Sequence, residues 1–158
     1  MVKIAAGLMM YRARSGTRGV EVLLVHPGGP FFRNKDLGVW SIPKGEVDAG
    51  EDDLLKAAQR EFQEETGVAP HGPFTYVGAV EQARRRKRVE AWAFAGTLDP
   101  AAIVSNTCGV EWPPRSGRHI EIPEVDRGAF FTPAEAKRRL YPYLAPLIDM
   151  FMQVLKAG

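Results

Sequence analysis

The run GEVDAGEDDLLKAAQREFQEETGV, from Gly45 to Val68, constrains this chain more than any other stretch. It gathers eight of the nineteen acidic residues, although the formal net charge of the whole protein is +2. Charge-rich helices usually mix signs at i,i+4, and here only Lys56 and Arg60 answer the carboxylates, so a positive partner from outside is expected. Residues 53–66 read as a helix. Leu55, Ala58 and Phe62 recur on one face, Asp52 or Asp53 can cap the start, and Gly67 suits the stop. Glu61, Glu64 and Glu65 stand at i, i+3 and i+4, which puts their carboxylates on a common face, roughly opposite the apolar stripe. A hard divalent cation, Mg²⁺ or Mn²⁺, relieves such repulsion, takes carboxylate and water oxygens, and often bridges to substrate phosphates. Arg60 is placed to hold neighbouring carboxylates by charge-assisted hydrogen bonds.

Around this run the pattern is β-rich, helix, β-rich, helix. Residues 2–11 and 20–26 are apolar and β-branched and are joined by the polar RARSGTRG, which predicts a hairpin. The Pro- and Gly-rich PGGPFFRNKDLGVWSIPKGE predicts a loop with a short strand at Trp40 to Ile42. FTYVGAVEQ and RVEAWAFAGTL predict two strands joined by the basic turn ARRRKR, and DRGAFF a last one. Thr132, Pro133 and Glu135 open a helix through a capping box with Pro at N1, and Leu144, Leu147, Ile148, Phe151 and Leu155 trace a terminal amphipathic helix. Arg115 and Arg118 flank Ser116-Gly117 in a Pro-bounded loop. The expected class is α+β, one domain over residues 1–158, with a mixed sheet between helices.

Composition narrows the function classes. The chain has 158 residues, 45% hydrophobic and 25% charged, which is ordinary for a soluble globular domain. Cys108 is the single cysteine, so neither an intrachain disulfide nor a CxxC site is available. The apolar N-terminal run is short and lacks a cleavage-site pattern, which predicts a strand and a cytoplasmic protein without a membrane partner. The run Arg84 to Arg88 invites a nucleic-acid reading, but without an aromatic RNA-binding motif a solvated hairpin tip is favoured. Of the tryptophans, Trp40 and Trp92 suit a core and Trp112 is the candidate for base stacking. His26, His71 and His119 have no metal-ligand spacing.

Lys44-Gly45 before the acids and REFQEETGV at the helix end together resemble the Nudix hydrolase box. Arg60, Glu61, Phe62, Glu64, Glu65, Gly67 and Val68 fit its C-terminal half. Five residues separate Gly45 from Glu51 as in the box, but eight rather than seven separate Glu51 from Arg60, so either Glu51 or Asp52 fills the first acidic position. VHPGGPFF, WSIPKGE, EWPPRSGR and PEVDR are similar to a bacterial Nudix group described as nucleoside triphosphate pyrophosphohydrolases. The resemblance implies an α/β/α sandwich. It also implies Mg²⁺ or Mn²⁺ held by Glu61, Glu64, Glu65 and the Gly45 carbonyl, with Arg60 orienting Glu61. Glu64 is the first choice for general base, with Glu111 or Glu121 as candidates outside the box. Lys44, Arg115 and Arg118 are the candidate phosphate contacts. The implied reaction cleaves the diphosphate linkage of a nucleotide, foremost a nucleoside or deoxynucleoside triphosphate. The alternatives are a dinucleoside polyphosphate substrate, removal of a 5′ diphosphate from RNA, or a noncatalytic nucleotide-sensing module. A homodimer is compatible with the family.

Overall fold

The computed structural model describes residues 2–157. Its central strand, β1 (Lys3–Ala13), is buried on both sides. Ala5 and Met9 join one core, while Ala6, Leu8 and Met10 join the other. A strand covered on both faces needs no polar side, which explains the unbroken apolar run IAAGLMM. Antiparallel β2 (Val20–Pro27) and parallel β5 (Lys87–Ala95) flank it; β4 (Thr75–Gln82) lies outside β5 and β8 (Val125–Phe131) outside β2. The sheet order is β4-β5-β1-β2-β8.

A wedge in this sheet sets up the site. β2 pairs with β1 only through Tyr11↔Val22, Arg12↔Glu21 and Ala13↔Val20, after which the two strands part. Into the gap comes the chain from Ser41, which bridges Val25, to β3 (Lys44–Glu46), which pairs antiparallel with Ala5–Gly7 of β1. The strand expected at Trp40 to Ile42 is therefore two isolated bridges, and the ladder begins only at Lys44. Pro43 separates them: it has no N–H to donate, and its carbonyl accepts from the Leu8 N–H at 3.1 Å.

Helix α1 (Leu54–Thr66) covers one face of the sheet through Ala57, Ala58 and Phe62, and α2 (Pro133–Arg139) with α3 (Pro146–Ala157) covers the other through Ala136, Leu147, Ile148 and Phe151. This is the expected α+β arrangement of a mixed sheet between helices. Phe62 is fully buried, edge-on to Phe94 at 5.3 Å, a burial that contributes roughly 1.5–3 kcal/mol. Asp53 caps α1 by accepting from the Lys56 N–H at 3.1 Å, and Gly67, at φ 79°, closes it. Thr132 caps α2 with Pro133 at its first turn, as the capping box predicts.

The Pro-bounded loop that carries Arg115 and Arg118 is the tip of a hairpin, β6 (Thr107–Glu111) and β7 (His119–Pro123), whose strands the sequence reading does not assign; they form a separate two-stranded sheet with Cys108↔Ile122 and Val110↔Ile120 opposite each other. The strands are short and the Trp112–Arg118 tip holds two prolines, so the period-2 pattern is brief and easily missed. No helix among the described residues is long and apolar enough to cross a membrane.

Candidate active site

The wedge delivers Gly45 onto the acidic end of α1. Gly45 lies directly against the Glu61 carboxylate, so close that a Cβ there would occupy the space of that carboxylate. Only glycine permits the approach. Glu61 itself is 9% exposed. It therefore sits on the buried flank of α1 beside Ala57 and Ala58, under β3, rather than opposite the apolar stripe as the helical spacing suggested. Leu55, the first residue of the expected stripe, is only half-buried.

Arg60 ties the acids together. Its Nη1 donates to Glu61 Oε1 at 2.9 Å and to Glu64 Oε2 at 3.2 Å, and its Nη2 donates to Glu51 Oε1 at 2.8 Å. Asp48 lies 3.5 Å from the same Nη2. Glu51 also accepts from the Asp48 N–H at 2.8 Å. Glu51 thus occupies the place that spacing left between it and Asp52; Asp52 is exposed. The extra residue of the box is absorbed in the turn before α1, where Asp53 becomes the cap. The Arg60 hydrogen bond, followed by that from Asp48, holds the Glu51 carboxyl below its ordinary range.

The remaining acids feel the opposite field. Burial, then the charge of Glu64, pushes the Glu61 pKa up. Burial raises Glu65 to about 8 against the lowering influence of Lys44, whose backbone N–H donates to Glu65 Oε1 at 3.3 Å. Burial and the neighbouring Lys87 lower the Lys44 amine to about 8. Lys44, the candidate phosphate contact, thus feels the attraction of Glu65 and Glu61 and the repulsion of Lys87.

The structure adds an acid that sequence reasoning missed. The Asn106 N–H donates to the Glu64 carbonyl at 2.8 Å, and the Glu124 N–H donates to the Asn106 carbonyl at 2.9 Å, which laces Glu124 to the end of α1. Burial and the Glu64 charge raise the Glu124 pKa, and Glu124 in turn raises those of Glu61 and Glu65. Glu111 and Glu121 are placed elsewhere. Glu111 folds the hairpin tip, accepting from the N–H groups of Arg115 at 2.8 Å and Gly117 at 3.2 Å. Glu121 lies on exposed β7, and Arg115 and Arg118 are exposed at the tip. None of these four joins the acidic cluster. Glu124 had no local signal beyond being an acid between Pro123 and the last strand.

The cluster fits a hard cation in donor chemistry. Glu61, Glu64, Glu65 and Glu124 offer carboxylate oxygens, and burial and mutual repulsion raise the pKa values of Glu61, Glu65 and Glu124. Among the described residues no three such side chains are already drawn into a closed coordination group. Arg60 Nη1 draws Glu61 and Glu64 to a common donor.

A NUDIX domain family model matches residues 1–151. No curated protein matches the chain significantly. Among solved structures the chain is similar to the Ap4A hydrolase of C. elegans, in a binary complex, at 23% identity over 99% of this chain and 100% of that one, TM-score 0.66. It is similar to the NUDIX domain of Shewanella oneidensis NrtR, cocrystallised with ADP ribose, at 18% identity over 98% of this chain and 89% of that one, TM-score 0.66. The E. coli ORF135 protein shares 22% identity over 99% and 94% of the two chains, TM-score 0.60. Likeness at these identities speaks for the fold; the family model, running through nearly the whole chain and over the Gly45 to Val68 motif, speaks for descent, and this chain belongs to the NUDIX family.

Proposed function

We propose that the protein is a divalent-cation-dependent pyrophosphohydrolase that cleaves the diphosphate linkage of a nucleotide, foremost a nucleoside or deoxynucleoside triphosphate, to a monophosphate. The observation that carries this reading is the set of Glu61, Glu64, Glu65 and Glu124 around Gly45, with Arg60 bracing two of them. Mg²⁺ or Mn²⁺ held there by Glu61, Glu64, Glu65 and the Gly45 carbonyl would neutralise phosphate charge and increase the acidity of bound water. The chain's own residues supply the rest. Arg60 fixes the carboxylates so that little reorganisation is needed as charge develops. Glu64, at the open side of the cluster, takes the proton from the attacking water, and Glu124 replaces Glu111 and Glu121 as the acid outside the helix that supports it. Lys44, whose backbone N–H donates to Glu65, is the phosphate contact beside the cluster.

A noncatalytic sensing role is disfavoured because Glu61, Glu64 and Glu65 are all present and Arg60 braces the first two. A dinucleoside polyphosphate is the second reading, favoured by end-to-end similarity to an Ap4A hydrolase. A homodimer and a cytoplasmic setting remain part of the proposal. The test is product analysis with nucleoside triphosphates, dinucleoside polyphosphates, ADP-ribose, nucleotide sugars and 5′-triphosphorylated RNA, in Mg²⁺, Mn²⁺ or EDTA. Turnover of a triphosphate to monophosphate and pyrophosphate, abolished by EDTA, is expected; preferred cleavage of a dinucleoside polyphosphate selects the second reading, and no turnover of any substrate sinks both.

A further inference from the structure

Beside the acidic cluster the chain builds a second feature. The loop Gly28–Leu37 and the β6–β7 hairpin face each other across two adjoining hollows that share Gly29, Pro30, Trp112 and Ile122. The smaller, of about 230 Å³, has Phe31, Phe32 and Trp112 in its walls. The larger, of about 530 Å³, adds Arg33, Pro123 and Asp126. Pro123 and Asp126 lie on either side of Glu124 in the chain, and the Gly28 N–H donates to the Glu124 carbonyl at 3.1 Å. The lining of the larger hollow therefore includes the chain neighbours of Glu124 at the foot of the acidic cluster.

This cleft is built from both sides. Gly28 lies against the Pro123 carbonyl, and a Cβ on Gly29, at φ 93°, would come within 2.6 Å of Ile122 Cδ1. Both glycines are needed for the hairpin to come down on the loop. The loop is pinned underneath by His26, which is fully buried. Its Nε2–H donates to the Lys35 carbonyl at 2.6 Å, and its Nδ1 faces Asp126 Oδ1 at 2.9 Å. On the open side Phe31 is 56% exposed, edge-on to Phe32 at 4.8 Å, with the Lys35 ammonium over its ring at 3.6 Å. An exposed and a half-buried phenylalanine that line one hollow with a tryptophan, held in place by a buried clamp and two obligatory glycines, form a slot for a flat ring system.

We propose that the hollow between Phe31, Phe32 and Trp112 seats the nucleobase of the substrate by stacking, while the larger hollow takes the sugar and passes the phosphates by Arg33 to the acidic cluster. The phosphate path rests on the hydrolase reading above; the base slot does not. Its size suits a base better than a whole nucleotide, since pockets for whole drug-sized ligands span about 300–1,000 Å³. Trp112 belongs to neither core, so it can be replaced without opening one.

The test is an NMR titration of the ¹⁵N-labelled full chain in EDTA, where no hydrolysis complicates binding. The ligands are AMP, GMP, CMP and TMP, with ribose 5-phosphate as the base-free control. At least one monophosphate should shift the Trp112 indole resonance saturably while ribose 5-phosphate does not. Trp112→Ala should weaken that binding roughly tenfold or more, as loss of base stacking predicts, and Trp112→Phe should keep it within roughly threefold. Unchanged affinity in Trp112→Ala, equal binding of ribose 5-phosphate, or no binding of any monophosphate overturns the proposal. Binding in EDTA without turnover in the substrate panel would instead reject the hydrolase reading and leave the base slot standing.

Discussion

The acidic end of α1 and the aromatic cleft beside it are held by different kinds of contact. In the first, Gly45, Glu51, Arg60, Glu61, Glu64 and Glu65 come from one continuous run, and a guanidinium and helical spacing do most of the positioning. In the second, Phe31, Trp112 and Asp126 come from three distant segments brought together by close glycines, a buried histidine and a small separate sheet. Local order suits a reaction centre whose geometry must not vary. Long-range assembly suits a wall that can differ between relatives while the centre stays the same.

Substitutions can break this division. The largest effect is expected for Glu64→Gln: removal of the general base should lower kcat roughly a hundredfold or more, measured by steady-state kinetics on the best substrate, with KM changing far less. Gly45→Ala comes next. Its methyl group displaces the Glu61 carboxylate, so kcat/KM should fall roughly 10–100-fold while circular dichroism shows the helices intact. Glu124→Gln should cost roughly tenfold in kcat, whereas Glu111→Gln and Glu121→Gln should stay within about threefold. A larger loss for Glu121→Gln than for Glu124→Gln would mean that the hairpin, not the junction before β8, supplies the outside acid.

The smallest expected effect is on stability. His26→Ala leaves the Lys35 carbonyl and Asp126 without their partner and should cost about 2 kcal/mol, lowering Tm by roughly 4–8 °C. It should also weaken monophosphate binding more than it lowers kcat. A kcat loss as large as that of Glu124→Gln would show that clamp and cluster are one unit.

Legibility in the sequence followed the same division. The helix cap, the Gly67 stop, the Arg60 brace and the apolar strands could be read because each depends on neighbours within a few residues. Glu51 against Asp52 could not be decided by counting, because a turn can absorb one residue; the hydrogen bond to Arg60 decides it. The flank of Glu61 escapes helical periodicity because periodicity knows nothing of β3, which pairs with Ala5–Gly7 of β1 and brings Gly45 against its carboxylate. The β6 and β7 strands went unassigned, although Cys108 and Val110 on one side of the prolines and Ile120 and Ile122 on the other alternate as strands do. That alternation was the available signal. Glu124 offered none, since its place depends on Asn106, which bridges it to α1 through main-chain hydrogen bonds alone. The basic run Arg84 to Arg88 turned out to be a tight turn running into β5, with Arg88 committed to Glu81 and Glu90.

The measurement that tests the central claim most directly is a Mn²⁺ titration followed by electron paramagnetic resonance. Wild-type protein should be compared with Glu61→Gln, Glu124→Gln and Glu111→Gln, without nucleotide. If the acidic end of α1 is the cation site, wild type binds Mn²⁺ saturably, Glu61→Gln and Glu124→Gln weaken it roughly tenfold or more, and Glu111→Gln leaves it unchanged. Equal Mn²⁺ affinity in wild type and Glu61→Gln would contradict the account.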